Sequence, residues 1–233
     1  MTDQAIAALE RIVLEERKPG DTVPSEAELV QRLGVSRLTV REATRALEAR
    51  GLIEVSKGRR PRVRSPNGSP VGDFFRFAVR RDVNAVLELT EIRLALEVQT
   101  AELAAGRASR AAITAMQAAI DAMATGVDDE DAFHAADIQF HESLADASGN
   151  SLLSQLVEQL AGPLRVSRIY SYRGRQSRGE PLDEVIAAHQ AILDNVANHD
   201  PAGSAEAMRR HLRATQSDLK ASLRAGVSLP PNP

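Results

Sequence analysis

Apolar residues recur at helical spacing along most of this chain, and the exceptions mark its organisation. Ala5, Ile6, Leu9, Ile12 and Val13 share one helical face, so residues 4–16 predict a helix. KPGD breaks it, because Pro19 and Gly20 favour a turn. Ser25 followed by Glu28 is a capping box, which predicts a helix over 26–33. Gly34 ends that helix and Ser36 caps another reaching about Ala49, where Gly51 stops it. Leu29, Leu33, Val35, Val40, Ala43 and Leu47 then point inward. LIEVSKGRRPRVRS departs from this spacing and predicts a hairpin, with strands near 52–55 and 61–64 and a basic tip at Lys57, Gly58, Arg59 and Arg60.

SPNGSP, residues 65–70, has the composition of a linker. Helical periodicity then returns and persists. It predicts helices near 72–79, 82–106, 109–125, 129–148, 150–172, 180–199 and 201–225, with breaks at Gly106, Gly126, Gly149 and GRQSRG (174–179). The expected fold is mainly α: a winged helix-turn-helix over 1–66, a linker over 67–72, an all-helical bundle over 73–225, and a disordered tail over 226–233.

Composition narrows the chemistry. The 233 residues include no Cys, which excludes disulfides, thiolate metal sites and thiol nucleophiles. Aromatic residues are 3% with no Trp, so the core must be aliphatic and Ala-rich, as helices favour. No stretch approaches the roughly 18 apolar residues of a membrane span, and the first twenty residues lack a signal-peptide pattern, so a cytoplasmic protein without membrane partners is expected.

Charge is uneven. Ser36 to Arg64 carries nine Lys and Arg against three Glu, whereas residues 65–233 carry 16 Lys and Arg against 22 Asp and Glu. A basic patch confined to one small domain suits a phosphate backbone. The second helix projects Ser36, Arg37, Thr39, Arg41 and Arg45, residue types that read guanine edges and hold phosphates in a major groove. PSEAELVQRLGVSRLTVREATRALEARGLIE resembles the winged helix-turn-helix of the GntR family of bacterial transcription regulators. The resemblance implies that Arg37, Thr39, Arg41 and Arg45 contact operator DNA, with Ser36 on a phosphate and Lys57, Gly58 and Arg59 at the wing. Two departures stand out: Ala27 occupies a position that is often Arg in the family, and the wing reads GRRPRV where GRGTFV is typical.

In the bundle, Asp137 and His141 lie one helical turn apart. His189 falls among Val185, Ile186, Ile192 and Leu193, and His211 among Met208, Leu212 and Leu219. Inward imidazoles need partners, and bundles build metal sites from facing helices. Asp137, His141, His189 and His211 would supply three nitrogens and one oxygen, a set that suits zinc first, with nickel, manganese, iron or cobalt as alternatives. LELTEIRLALEVQTAELAA, FHAADIQFHESLADASGN, VIAAHQAILDNVANHD and AEAMRRHLRATQSDL resemble the FCD effector domain of the FadR subfamily of GntR regulators, whose metal-binding members place Asp, His, His and His in these contexts. Ala188 before His189 is a departure, since Glu is usual there. The resemblance also implies that Arg93 meets an effector. Alternatively, Arg93 and Glu97 form a solvated i,i+4 pair. His134, on the face of His141, is a second candidate for effector contact, and His199 is read as capping a helix end.

The expectation is therefore a DNA-binding regulator, a repressor in the first instance. It acts as a homodimer on an inverted repeat and responds to a divalent metal with a small organic acid. The rival is a metal-dependent hydrolase or lyase with a DNA-binding appendage. That chemistry asks for a general base distinct from the ligands, for which Glu97 and Glu142 are the only candidates.

Overall fold

The computed structural model describes residues 2–65, 68–82 and 84–225. Pro66 and Asn67 of the expected linker and the expected tail at 226–233 lie outside the described residues. The chain divides into two compact units, Met1–Asp73 and Phe74–Pro233.

The first unit holds α1 (Thr2–Glu15), α2 (Glu26–Leu33), α3 (Arg37–Ala49), β1 (Ile53–Glu54) and β2 (Arg62–Val63). The capping box at Ser25 forms as expected: its Oγ accepts from the Glu28 amide, and its own amide donates to Glu28 Oε2 at 2.6 Å. Gly34 turns the chain at φ 65, a conformation that favours glycine, and Ser36 caps α3 through the Thr39 amide. Leu9, Ile12, Val13, Leu29, Val40, Ala43, Leu47, Ile53 and Val63 close one apolar core. The hairpin is shorter than its sequence pattern, with two residues on each strand.

The other edge of the wing is paired as well, by the end of the KPGD turn and the two residues after it. Gly20 donates to the Val63 carbonyl, Val63 to the Asp21 carbonyl and Val23 to the Pro61 carbonyl, each at 2.8 Å. The wing is thereby tied to the chain that follows α1.

α4 (Ser69–Arg81) begins inside the stretch read as linker. It is followed by α5 (Ala85–Arg107), α6 (Arg110–Thr125), α7 (Glu130–Ala147), α8 (Ser151–Ala161), α9 (Arg165–Arg178), α10 (Asp183–Ala197) and α11 (Pro201–Arg224). α11 packs along α5, α9 and α10, while α7 packs on α5, α6 and α8. Met116, Ile120, Met123, Phe140, Leu144, Ile192, Leu193, Met208 and Leu212 form the main core.

The helix read over 150–172 is two helices. α8 stops at Ala161, two residues before Pro163, which lacks the amide donor that a further turn would need, and α9 starts at Arg165. GRQSRG is not a break. α9 runs through it to Arg178 and is ended by Gly179 at φ 67. Gly174 instead marks a close approach: a Cβ there would overlap Ser222 Oγ, which donates to the Tyr170 carbonyl at 2.9 Å. Gly106 likewise lies within α5. His199 adopts φ 53, and its Nδ1 lies 2.8 Å from the Ala105 carbonyl, so it serves the C-terminal end of α5 rather than of its own helix.

Gly174→Val should push α9 from α11 and lower unfolding stability by about 1–3 kcal/mol in a denaturant titration. Gly106→Ala, inside α5 with open space around it, should leave the midpoint unchanged or raised.

Candidate metal centre and nucleic-acid interface

Every candidate metal ligand lies on the buried face of a helix in the second unit. Asp137 and His141 come from α7, His189 from α10 and His211 from α11. One ligand atom from each lies within 4.8 Å of all the others. The Nε2 atoms of His141, His189 and His211 are buried without a hydrogen-bond partner. Three orphaned imidazole nitrogens around one carboxylate oxygen would be a costly arrangement if it did no more than fill a core. It is the arrangement a divalent cation requires, so the donor set fits.

The surrounding groups orient the donors. His189 Nδ1 lies 2.7 Å from the Val185 carbonyl, one turn back on α10, which directs Nε2 inward. His141 Nδ1 lies 2.6 Å from Glu97 Oε2. Arg168 Nε donates to Asp137 Oδ2 at 2.6 Å, leaving Oδ1 for the cluster, 3.1 Å from His189 Nε2 and 3.7 Å from His141 Nε2. Arg93 Nε donates to Glu97 Oε1 at 2.7 Å. Two acids and two arginines are thus buried together in matched pairs, as charges withdrawn from water must be.

Protonation follows from these contacts. Burial works against the charge of Glu97, yet Arg93 and His141 hold its pKa at about 2. Burial also opposes ionisation of Asp137, but Arg168 and His141 keep it well below the usual carboxylate range. His141 is raised despite its burial, because Glu97 and Asp137 face it. His211 is driven well below the usual imidazole range by burial and by His189 and His141 beside it. Asp137 as an anion and His211 as a neutral imidazole are in the states that bind metal, whereas His141 would give up its proton to a cation.

A cavity opens beside the cluster. Arg93, His134, Asp137, Arg168, Tyr172 and His211 are among its lining residues. The structure brings both candidate effector residues here. Arg93 Nη2 is buried without a partner, and so is His134 Nε2. The Arg93–Glu97 pair exists but is buried, not solvated as its alternative reading had it. Ile92 on α5 is exposed; the buried face of the helix carries Leu89, Arg93, Glu97 and Thr100.

Sequence reasoning missed the contribution of α9. Arg168, Ser171, Tyr172 and Arg175 line the cavity at the i, i+3, i+4, i+7 spacing of one helical face. That spacing was present in the sequence, but the misplaced break at 174–179 hid it. Glu142 does not line the cavity; burial and the neighbouring Glu158 raise its pKa. Glu97, clamped as an anion, is a poor proton acceptor, so neither acid serves as the base that a hydrolase would need.

In the first unit, Arg37, Arg41 and Arg45 are exposed along α3, with Ser36 and Thr39 at its start. Arg41 Nε donates to Glu26 at 2.9 Å across open surface, a contact weak enough to exchange for a phosphate or base. Arg41 and Arg45 line a groove with Gly58, Arg59 and Arg60 of the hairpin, and Gly58 turns the tip at φ 74. Lys57 is exposed beside it. Of the expected DNA-reading residues, Arg41, Arg45, Gly58 and Arg59 thus share one groove, which Glu26 and Glu48 also line.

A winged helix-turn-helix joined to a helical unit with a buried His and Asp cluster is the build of a DNA-binding transcription regulator. The family model for bacterial regulatory proteins of the gntR family matches residues 2–63, and that for the FCD domain matches residues 88–214. The chain belongs to the GntR family of transcription regulators and carries an FCD effector domain. It is 30% identical over 209 residues to the HTH-type transcriptional regulator LutR of Bacillus subtilis (strain 168), covering 88% of this chain and 94% of that one. It is 28% identical over 201 residues to the HTH-type transcriptional repressor NanR of Escherichia coli (strain K12), covering 85% and 76%. A solved Streptococcus agalactiae GntR superposes with a TM-score of 0.73 at 26% identity, covering 93% of this chain and 99% of that one. These relatives are regulators rather than enzymes. Among the described residues, no helix is long and apolar enough to cross a membrane.

Glu97→Gln leaves Arg93 and His141 without their counter-charge, and the C-terminal unit should lose about 3 kcal/mol, read from urea unfolding of the full chain. An unchanged midpoint would mean that Glu97 does not hold the cluster together.

Proposed function

We propose that this chain is a FadR-type repressor whose FCD unit binds a divalent cation, zinc in the first instance, and a small carboxylic acid that releases it from operator DNA. The observation that carries this reading is the set of three unpartnered imidazole nitrogens and Asp137 Oδ1 beside a cavity that holds Arg93 Nη2 and His134 Nε2. When bound, the cation would add positive charge to a site in which Asp137, Glu97, Arg93 and Arg168 already balance, so the filled site attracts an anion. Arg93 then offers a charge-assisted bond to one carboxylate oxygen, and His134 a bond to a neighbouring polar group.

The acid acts only if it favours one arrangement of the DNA-binding units over another. Two copies of the first unit, each presenting Arg37, Thr39, Arg41, Arg45 and its basic wing, suit the two half-sites of an inverted repeat, so the working form is a homodimer. That the relative NanR is named a repressor favours repression over activation. The absence of a free base among Glu97 and Glu142 weighs against the hydrolase or lyase reading.

The test is operator binding by fluorescence anisotropy, with and without a panel of small carboxylic acids, on metal-loaded and chelated protein. At least one acid should weaken binding tenfold or more in the loaded protein and have no effect after chelation; indifference to every acid in both forms would contradict the reading. Arg93→Lys keeps a positive charge near Glu97 but removes the second nitrogen. It should retain metal while its affinity for the acid falls at least tenfold, measured by calorimetry. Arg41→Ala should weaken operator binding by about tenfold, as loss of one bidentate base contact does.

A further inference from the structure

Leu38 is 67% exposed in the first turn of α3, a position neither the core nor the basic surface explains. The inward face of α3 is complete without it, because Val40, Ala43 and Leu47 fill the core of the unit. A single exposed leucine on an ordinary surface needs no account. This one sits where a recognition helix meets base edges, directly after Arg37. Arg41 lies three residues on and Arg45 seven, so the three share one face of the helix.

Leucine neither donates nor accepts a hydrogen bond. Pressed against a G·C pair or an adenine edge, it would cover acceptors and donors and leave them unpaired. The thymine C5-methyl is the one apolar group on the major-groove edge of a standard base pair. We infer that Leu38 is a specificity-determining residue, packing on the methyl group of a thymine in each operator half-site, next to the bases read by the α3 arginines. The arginines supply affinity and guanine readout; Leu38 supplies discrimination at the neighbouring base pair without touching a phosphate.

The inference rests on the family's DNA-binding activity and not on the metal or the acid. The full-length protein is first used to select its operator from a random duplex library. Each half-site thymine in the selected sequence is then replaced by uracil, which removes the methyl group alone. At one thymine, wild type should lose about fourfold in affinity, the worth of burying one methyl-sized group. Leu38→Ala should bind the thymine and uracil duplexes equally. Its salt dependence should match wild type, since no phosphate contact is lost. Leu38→Gln should move the preference at that position toward adenine, which glutamine reads through two hydrogen bonds. Wild-type affinity unchanged by uracil at every thymine would overturn the inference, as would a uracil penalty that persists in Leu38→Ala. If wild type selects no sequence at all, sequence-specific reading by α3 falls, and Leu38's role with it.

Discussion

The C-terminal unit depends on one constraint: charge buried in a helical bundle has to be matched. Glu97 and Asp137 are held between Arg93, Arg168 and His141 in a core otherwise built from Met, Ile, Leu, Phe and Ala. A set of aliphatic side chains of similar volume would pack as well and be as stable or more so. The chain has instead placed two acids, two arginines and four histidines where a stable bundle needs none. Removing any one partner leaves another charge stranded. The geometry therefore favours use over packing, and the Nε2 atoms without hydrogen bonds support the proposed cation site.

The same constraint connects site to fold. α7 supplies both a carboxylate and an imidazole because i,i+4 residues share a face. α10 and α11 supply one imidazole each, and the rings of His189 and His211 reach that of His141 with centroids 5.3 and 5.4 Å away. α5 contributes no candidate ligand, yet Glu97 lies against His141 and Arg93 reaches the cavity, so one helix face links the proposed metal site, the cavity and the core. α9 closes the arrangement through Arg168. The smaller unit follows a different logic. Its core is wholly apolar, its arginines face water, and its wing is fastened by backbone bonds to residues 20–23, which leaves the polar side chains of α3 available to a partner.

Much of this was legible in the sequence where local chemistry is strong. The capping box at Ser25, the turn at Gly34 and the cap at Ser36 are decided within four residues, and the structure repeats them. His189 and His211 were recognisable as inward because their apolar neighbours are spaced at helical period, and Asp137 with His141 because they are one turn apart. What was lost needed knowledge of neighbours in space. Gly174 reads as a breaker until α11 is seen to press on α9. Pro163 inside an apolar helical stretch was overridden by periodicity, although its missing amide ended α8. Nothing in the local sequence marks Arg168 and Arg175 as interior; only the position of Asp137 and the cavity does. Gly20 and Asp21 read only as part of the KPGD turn because their pairing partner lies some forty residues along the chain.

The measurement closest to the centre of this account is the metal content of the full-length protein, purified without an affinity tag and analysed by elemental mass spectrometry, with His189→Ala alongside. The account predicts close to one equivalent of a divalent transition metal per chain, lost in His189→Ala while the helical content is kept. No metal in the wild type, and no uptake when zinc, nickel or manganese is supplied, would contradict it.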